Sequence, residues 1–175
     1  TSRRIVAPGI ALLFSAGPLF AATITVTSSA DAGGSCPGAT CSLRQAIATA
    51  APGDTIFFDI PTSADFYNAA TQVFSVPLGS ELAIGKNLTI DGGANKIVLI
   101  RPSGLPQFRI FNVTSGTVTI ARLTITGGFL SSGAASDVGA GVQNAGNPML
   151  SACTVSYNNA GNGACSVSKP SSIWL

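Results

Sequence analysis

A chain of 175 residues with 9 Lys and Arg, 7 Asp and Glu and no His has room for one domain and offers no basic patch to nucleic acid. The lack of His excludes imidazole acid–base chemistry and Cys–His nucleophiles. Few charges beside 20 Gly, with much Ser, Thr, Asn and Val, suit a turn-rich all-β protein rather than a helical one.

Arg3-Arg4 precede an apolar run from Ile5 to Phe20, broken by Pro8, Gly9 and Pro18, and Ala21-Ala22 follow. A positive end, an apolar stretch and small residues describe a secretory signal over residues 1–22, cut near Ala21 or Ala22. The run is too short and too broken to serve comfortably as an anchor, so the mature chain is expected to have no membrane span. Because the chain starts with Thr, its true start is expected to lie further upstream. Net charge is +2, and it vanishes without Arg3 and Arg4.

Thr23–Thr27 alternates as a first strand. The loop after it holds Cys36-Pro37-Gly38-Ala39-Thr40-Cys41, a tight turn able to join Cys36 and Cys41 in an oxidising compartment. Half of a metal site is the competing reading, but no His and no nearby Cys complete one. Cys153 reads as a small core residue and Cys165 as an unpaired tail residue.

Ser42–Ala51 is the one convincing helix. Ser42 caps it, Gln45 stands where a capping box needs it, and Leu43, Ala46, Ile47 and Ala50 form an apolar stripe. Pro52-Gly53 stops it. Placed before the first strands of a coil, it is expected to cover the open N-terminal end. Within residues 59–80, Pro61 and Pro77 cannot donate within a ladder. Asp65-Phe66-Tyr67-Asn68 therefore reads as an excursion, with Phe66 and Tyr67 either packing on the coil or forming a binding patch.

A phrase then repeats. Asn87-Leu88-Thr89-Ile90-Asp91-Gly92-Gly93 is echoed 35 residues later by Arg122-Leu123-Thr124-Ile125-Thr126-Gly127-Gly128, and more weakly by Ala152–Asn158. Strands of three to five residues with Gly, Asn and Ser turns flank each copy, without helices between them. Repeats of this size predict a right-handed single-stranded parallel β-helix, an all-β solenoid with a short N-terminal capping helix. Leu88 and Ile90 are expected to point inward beneath Leu123 and Ile125, with Thr outward and the Gly pairs supplying positive φ at the corners. Asn112, Asn144 and Asn158 are expected to stack as a ladder. The organisation predicted is signal 1–22, cap and first strands 23–80 with the helix at 42–51, coils 81–160, and an atypical or truncated tail 161–175.

Cys41-Ser42-Leu43-Arg44-Gln45-Ala46-Ile47, with Pro52-Gly53-Asp54-Thr55-Ile56-Phe57-Phe58 after it, resembles the N-terminal signature of exported bacterial CSLREA-domain proteins; Gln45 stands where that motif usually has Glu. The segments 87–93, 109–128 and 139–144 resemble the pectate-lyase-like repeats of those proteins and of polymorphic outer-membrane proteins. The resemblance implies a β-helix at the start of a secreted or surface-displayed protein.

The acids are scattered. Asp31, Asp54, Asp59, Asp65, Glu81, Asp91 and Asp137 never share a strand as a pair for acid–base work, and single carboxylates at turns cannot supply the six to eight oxygens of a calcium site. Asp54 and Asp91 read as turn acceptors. Arg101, Arg109 and Arg122 form a candidate anion-binding set, with Arg122 expected beside Lys86; outward side chains that limit edge association are the competing reading. No catalytic, metal or cofactor residue is assigned. The reading is a non-catalytic secreted or cell-surface module, adhesin-like or structural, monomeric, meeting an extracellular polysaccharide or a host or cell-surface ligand. The alternative is the N-terminal piece of a polysaccharide lyase or glycoside hydrolase whose active coils lie beyond residue 175.

Overall fold

The computed structural model describes residues 21–132, 137–161 and, by backbone alone, 165–167. The expected signal lies outside the described residues except for Ala21 and Ala22, as does most of the expected tail.

Short alternating strands cannot bury an apolar face alone; winding them into a stack does so. The chain forms a β-solenoid of about four turns. It opens with β1 (Thr23–Val26), helix α1 (Leu43–Thr49), β2 (Thr55–Phe58), β3 (Tyr67–Asn68) and β4 (Val73–Pro77). A second turn holds β5 (Leu82–Ile84), β6 (Leu88–Asp91) and β7 (Lys96–Ile100). A third holds β8 (Phe111–Val113), β9 (Thr117–Ala121), β10 (Leu123–Thr126) and β11 (Phe129–Leu130). A fourth holds β12 (Val142–Asn144), β13 (Asn147–Ser151), β14 (Thr154–Ser156) and β15 (Asn159–Ala160), and β16 (Cys165–Val167) stacks on β12 at the start of the next.

Three long sheets result, with a parallel two-stranded sheet of β11 and β15 beside them. The first runs β1-β2-β6-β9-β13, the second β3-β4-β7-β10-β14, and the third β5-β8-β12-β16. Neighbouring strands within them are parallel, except that β3 lies antiparallel on β4 and blunts that edge of the second sheet. The inside is filled in rows. Ile24, Ile56, Ile90, Ile120 and Leu150 align across the first sheet. Val76, Leu99, Ile125 and Val155 align across the second, and Leu82, Phe111 and Val142 across the third. Full burial of such a side chain contributes roughly 1.5–3 kcal/mol, against about 1.5 kcal/mol to order each residue, so stacking is what makes a turn stable.

Leu88, Ile90, Leu123 and Ile125 all face the core and are buried, yet the two copies of the repeated phrase do not lie on each other. Leu88 pairs with Val118 and Ile90 with Ile120 in the first sheet. Leu123 pairs with Ile97 and Ile125 with Leu99 in the second. Where the phrase repeats, the step between stacked residues is 30, from 88 to 118 and again from 124 to 154, and the second copy lies in the next sheet round the coil. Only the second and third copies stack, Thr124 on Thr154. The Asn ladder fails for the same reason: Asn112 aligns with Gln143 and Asn144 with Val113, while Asn158 sits at another corner, bonded to Gly128 and Ile125.

Helix α1 precedes β2 in the chain as β5 precedes β6, and so takes the place of a third-sheet strand in its turn. Leu43, Ala46 and Ile47 are buried against the core. Ser42 is the N-cap, its hydroxyl accepting from the Gln45 N–H. The Gln45 side chain does not return to close a capping box; its amide donates to the Gly34 carbonyl at 3.1 Å. Lys86 from the next turn donates to the carbonyls of Ala48 and Ala50, satisfying the open helix end. Cys36 and Cys41 are disulfide-bonded with Cα atoms 4.7 Å apart. The Cys41 carbonyl accepts from Thr27 and Ser28, so the loop is fastened to the end of β1. At the far end, Cys165–Val167 pairs with Val142–Asn144, so strand structure enters the expected tail.

Candidate functional site

Thr is β-branched and holds an extended backbone without requiring burial, so a Thr between two inward aliphatics faces outward. In the first sheet these positions coincide turn after turn. Thr23, Thr55, Thr89 and Thr119 form one outward row, continued by exposed Met149. In the second sheet Ser75, Val98, Thr124 and Thr154 form another, with Pro77, Ile100, Thr126 and Ser156 two residues along. Adjacent strands stand roughly 4.8 Å apart. The result is a regular array of small hydroxyl- and methyl-bearing side chains along the solenoid axis.

The corner between the third and first sheets adds a polar hollow to the Thr row. The turns at Gly85–Asn87, Ser115-Gly116 and Ala145-Gly146 stack there. Asn87 Oδ1 accepts from the Thr117 N–H at 2.8 Å, and Ser115 donates to the Gly85 carbonyl at 3.0 Å. Asn87, Ser115, Thr117 and Asn147, with the intervening Gly and Ala, line a concavity of about 450 Å³. No ionisable side chain lines it.

The charged residues are engaged elsewhere. Asp91 accepts from Gly93 at 2.9 Å and pairs with Arg122. Asp54 accepts from Ala22 at 2.8 Å and Ala51 at 2.7 Å. Both therefore sit as turn acceptors. Arg44 pairs with Asp31 and donates to the carbonyls of Ser80 and Glu81, joining the helix to the approach of β5. Arg122 does not meet Lys86: the first stands at the corner between β9 and β10 against Asp91, the second on the helix end. Arg101 lies between Phe108 and Phe129, 5.8 and 5.5 Å from the ring centroids, and donates to the Gly127 and Leu105 carbonyls. Arg109 lies 3.6 Å from Glu81. Arg101, Arg109 and Arg122 thus brace three separate places and form no common anion site. Among the described residues no three Cys, Asp or Glu converge on a point, and no helix is long and apolar enough to cross a membrane.

Tyr67 packs on Phe74 with centroids 4.5 Å apart, while Phe66 is 60% exposed; packing and exposure divide the pair. Cys153 is free, and burial pushes its thiol above the usual range, which lowers its reactivity. Sequence reading did not find the outward Thr row as a row. Its members are 32, 34 and 30 positions apart (23 to 55, 55 to 89, 89 to 119). The usable signal is a Thr leading into inward Ile in four of the five first-sheet strands, β1, β2, β6 and β9. No protein-family model, curated protein or solved structure matches the chain.

Proposed function

We propose that this chain is a non-catalytic module of a secreted or cell-surface bacterial protein, of the kind the CSLREA-like signature implies, and that its outer Thr rows meet an extracellular polysaccharide. One observation carries the reading: the register that stacks Thr23, Thr55, Thr89 and Thr119 in a straight outward row. A row repeating at the strand spacing suits a ligand that is itself a repeating polymer, because contacts too weak singly add along the chain. The neutral polar hollow beside the row offers hydrogen bonds without charge, as a neutral glycan requires. Asp54 and Asp91 are occupied by backbone donors and Arg122, which supports binding over acid–base cleavage.

Polysaccharide pull-down and glycan-array binding test the reading. The full chain is expected to retain a neutral glycan without releasing reducing ends. Thr89→Lys with Thr119→Lys is expected to weaken retention at least tenfold at unchanged circular dichroism. Equal retention by the variant, no retention by the native chain, or release of sugar products would contradict it.

A further inference from the structure

Asp54 holds a carboxylate at the fold's N-terminal edge that is 5% exposed. It accepts two backbone N–H groups, from Ala51 and Ala22, and among the described residues no Lys or Arg forms an ion pair with it. A buried carboxylate without a counter-charge is costly even when hydrogen-bonded. The charged side chain tied to the adjoining segment is Lys86, held on the carbonyls of Ala48 and Ala50. The Ala22 nitrogen lies 2.8 Å from Asp54 Oδ1. The Ala22 carbonyl accepts from Thr55 at 2.8 Å, so Ala22 is tied into the fold on both sides, one residue ahead of β1. Ala21 and Ala22 are exposed.

We propose that the chain is processed between Ala21 and Ala22, and that the α-ammonium freed at Ala22 becomes the counter-ion of Asp54. The inference rests on the export reading. A signal peptidase hydrolyses the Ala21–Ala22 peptide bond: water gives its hydroxyl to the Ala21 carbonyl carbon and a hydrogen to the Ala22 nitrogen, which takes up a further proton near neutral pH. A neutral N–H donor to Asp54 is thereby replaced by a cation in the same place, and such charge-assisted bonds are the stronger kind. Cutting one bond later would remove the Ala22 nitrogen and carbonyl that the fold uses.

The test expresses the full chain with its own N-terminus in an exporting bacterial host. Intact mass and N-terminal sequencing of the envelope fraction are expected to give Ala22 as first residue. The α-amine of that product, reductively methylated and titrated by NMR, is expected to lose its proton above the ordinary α-amino range of about 7.7–8.0. Asp54→Asn is expected to return it to that range. If Asp54→Asn fails to fold, the native titration decides alone. A first residue other than Ala22, or an α-amine titrating in the ordinary range, would overturn the inference while leaving export intact. An unprocessed chain confined to the cytoplasm would overturn both.

Discussion

Gly92 and Gly93 divide the work of one corner between two physical demands. Gly93 has φ +63, the left-handed region in which a side chain is strained. Gly92 needs bare backbone for another reason: a Cβ there would stand 2.2 Å from the Arg122 carbonyl oxygen of the next turn. In the second copy the roles are exchanged, with Gly127 at φ +77 and a Cβ on Gly128 placed 1.9 Å from the Ala140 carbonyl oxygen. The pairs were expected to supply positive φ; Gly92, Gly127 and Gly128 also let successive turns approach. Asp91 at the same corner contributes less. Arg122 is half exposed, so solvent screens their pair to about 1 kcal/mol or less. Gly92→Ala is therefore expected to cost more than about 4 kcal/mol and abolish cooperative unfolding. Asp91→Asn is expected to lower stability by at most about 1 kcal/mol. Urea unfolding followed by circular dichroism distinguishes them, and equal effects would refute the close-approach account.

The helix and the strands differ in how openly the chain declares them. Ser42 as cap and the buried stripe of Leu43, Ala46 and Ile47 are local facts, fixed within ten residues, and were legible. Gln45 was not, because the Gly34 carbonyl competes for its amide from a loop 11 residues away. The stacking partners were hidden for a related reason. Apolar-Thr-apolar alternation satisfies the first and second sheets equally, so Leu88-Thr89-Ile90 and Leu123-Thr124-Ile125 read alike while lying on different faces. The corner decides which face a strand joins: Arg122 turns the chain at φ +55 between β9 and β10, and no residue type announces that. Excursions such as 101–110 further blur the period. At this scale Ser42→Ala is expected to cost about 1 kcal/mol. Arg44→Ala is expected to cost about 2 kcal/mol, since its hydrogen bonds to the Ser80 and Glu81 carbonyls go with the Asp31 pair. Thermal unfolding checks both, and Arg44→Ala leaving the melting temperature unchanged would refute its role as the tie between helix and solenoid.

Across the whole molecule, one set of rows fills the interior and another patterns the outside. The inner rows of Ile, Leu, Val and Phe make the stack hold; the outer Thr rows follow from the same register without further cost in folding. The candidate binding face is thus a by-product of stacking. That explains why its existence as an outer Thr, Ser and Asn surface was legible while its members' alignment was not. Everything turns on which residues of successive turns are neighbours. Paired cysteine substitutions, oxidised and mapped by peptide mass spectrometry, measure this directly. Thr89→Cys with Thr119→Cys joins residues in register and is expected to form an intramolecular disulfide in high yield. Thr89→Cys with Thr124→Cys, which copy-over-copy stacking would bring together, is expected to stay reduced; the reverse pattern would contradict the account.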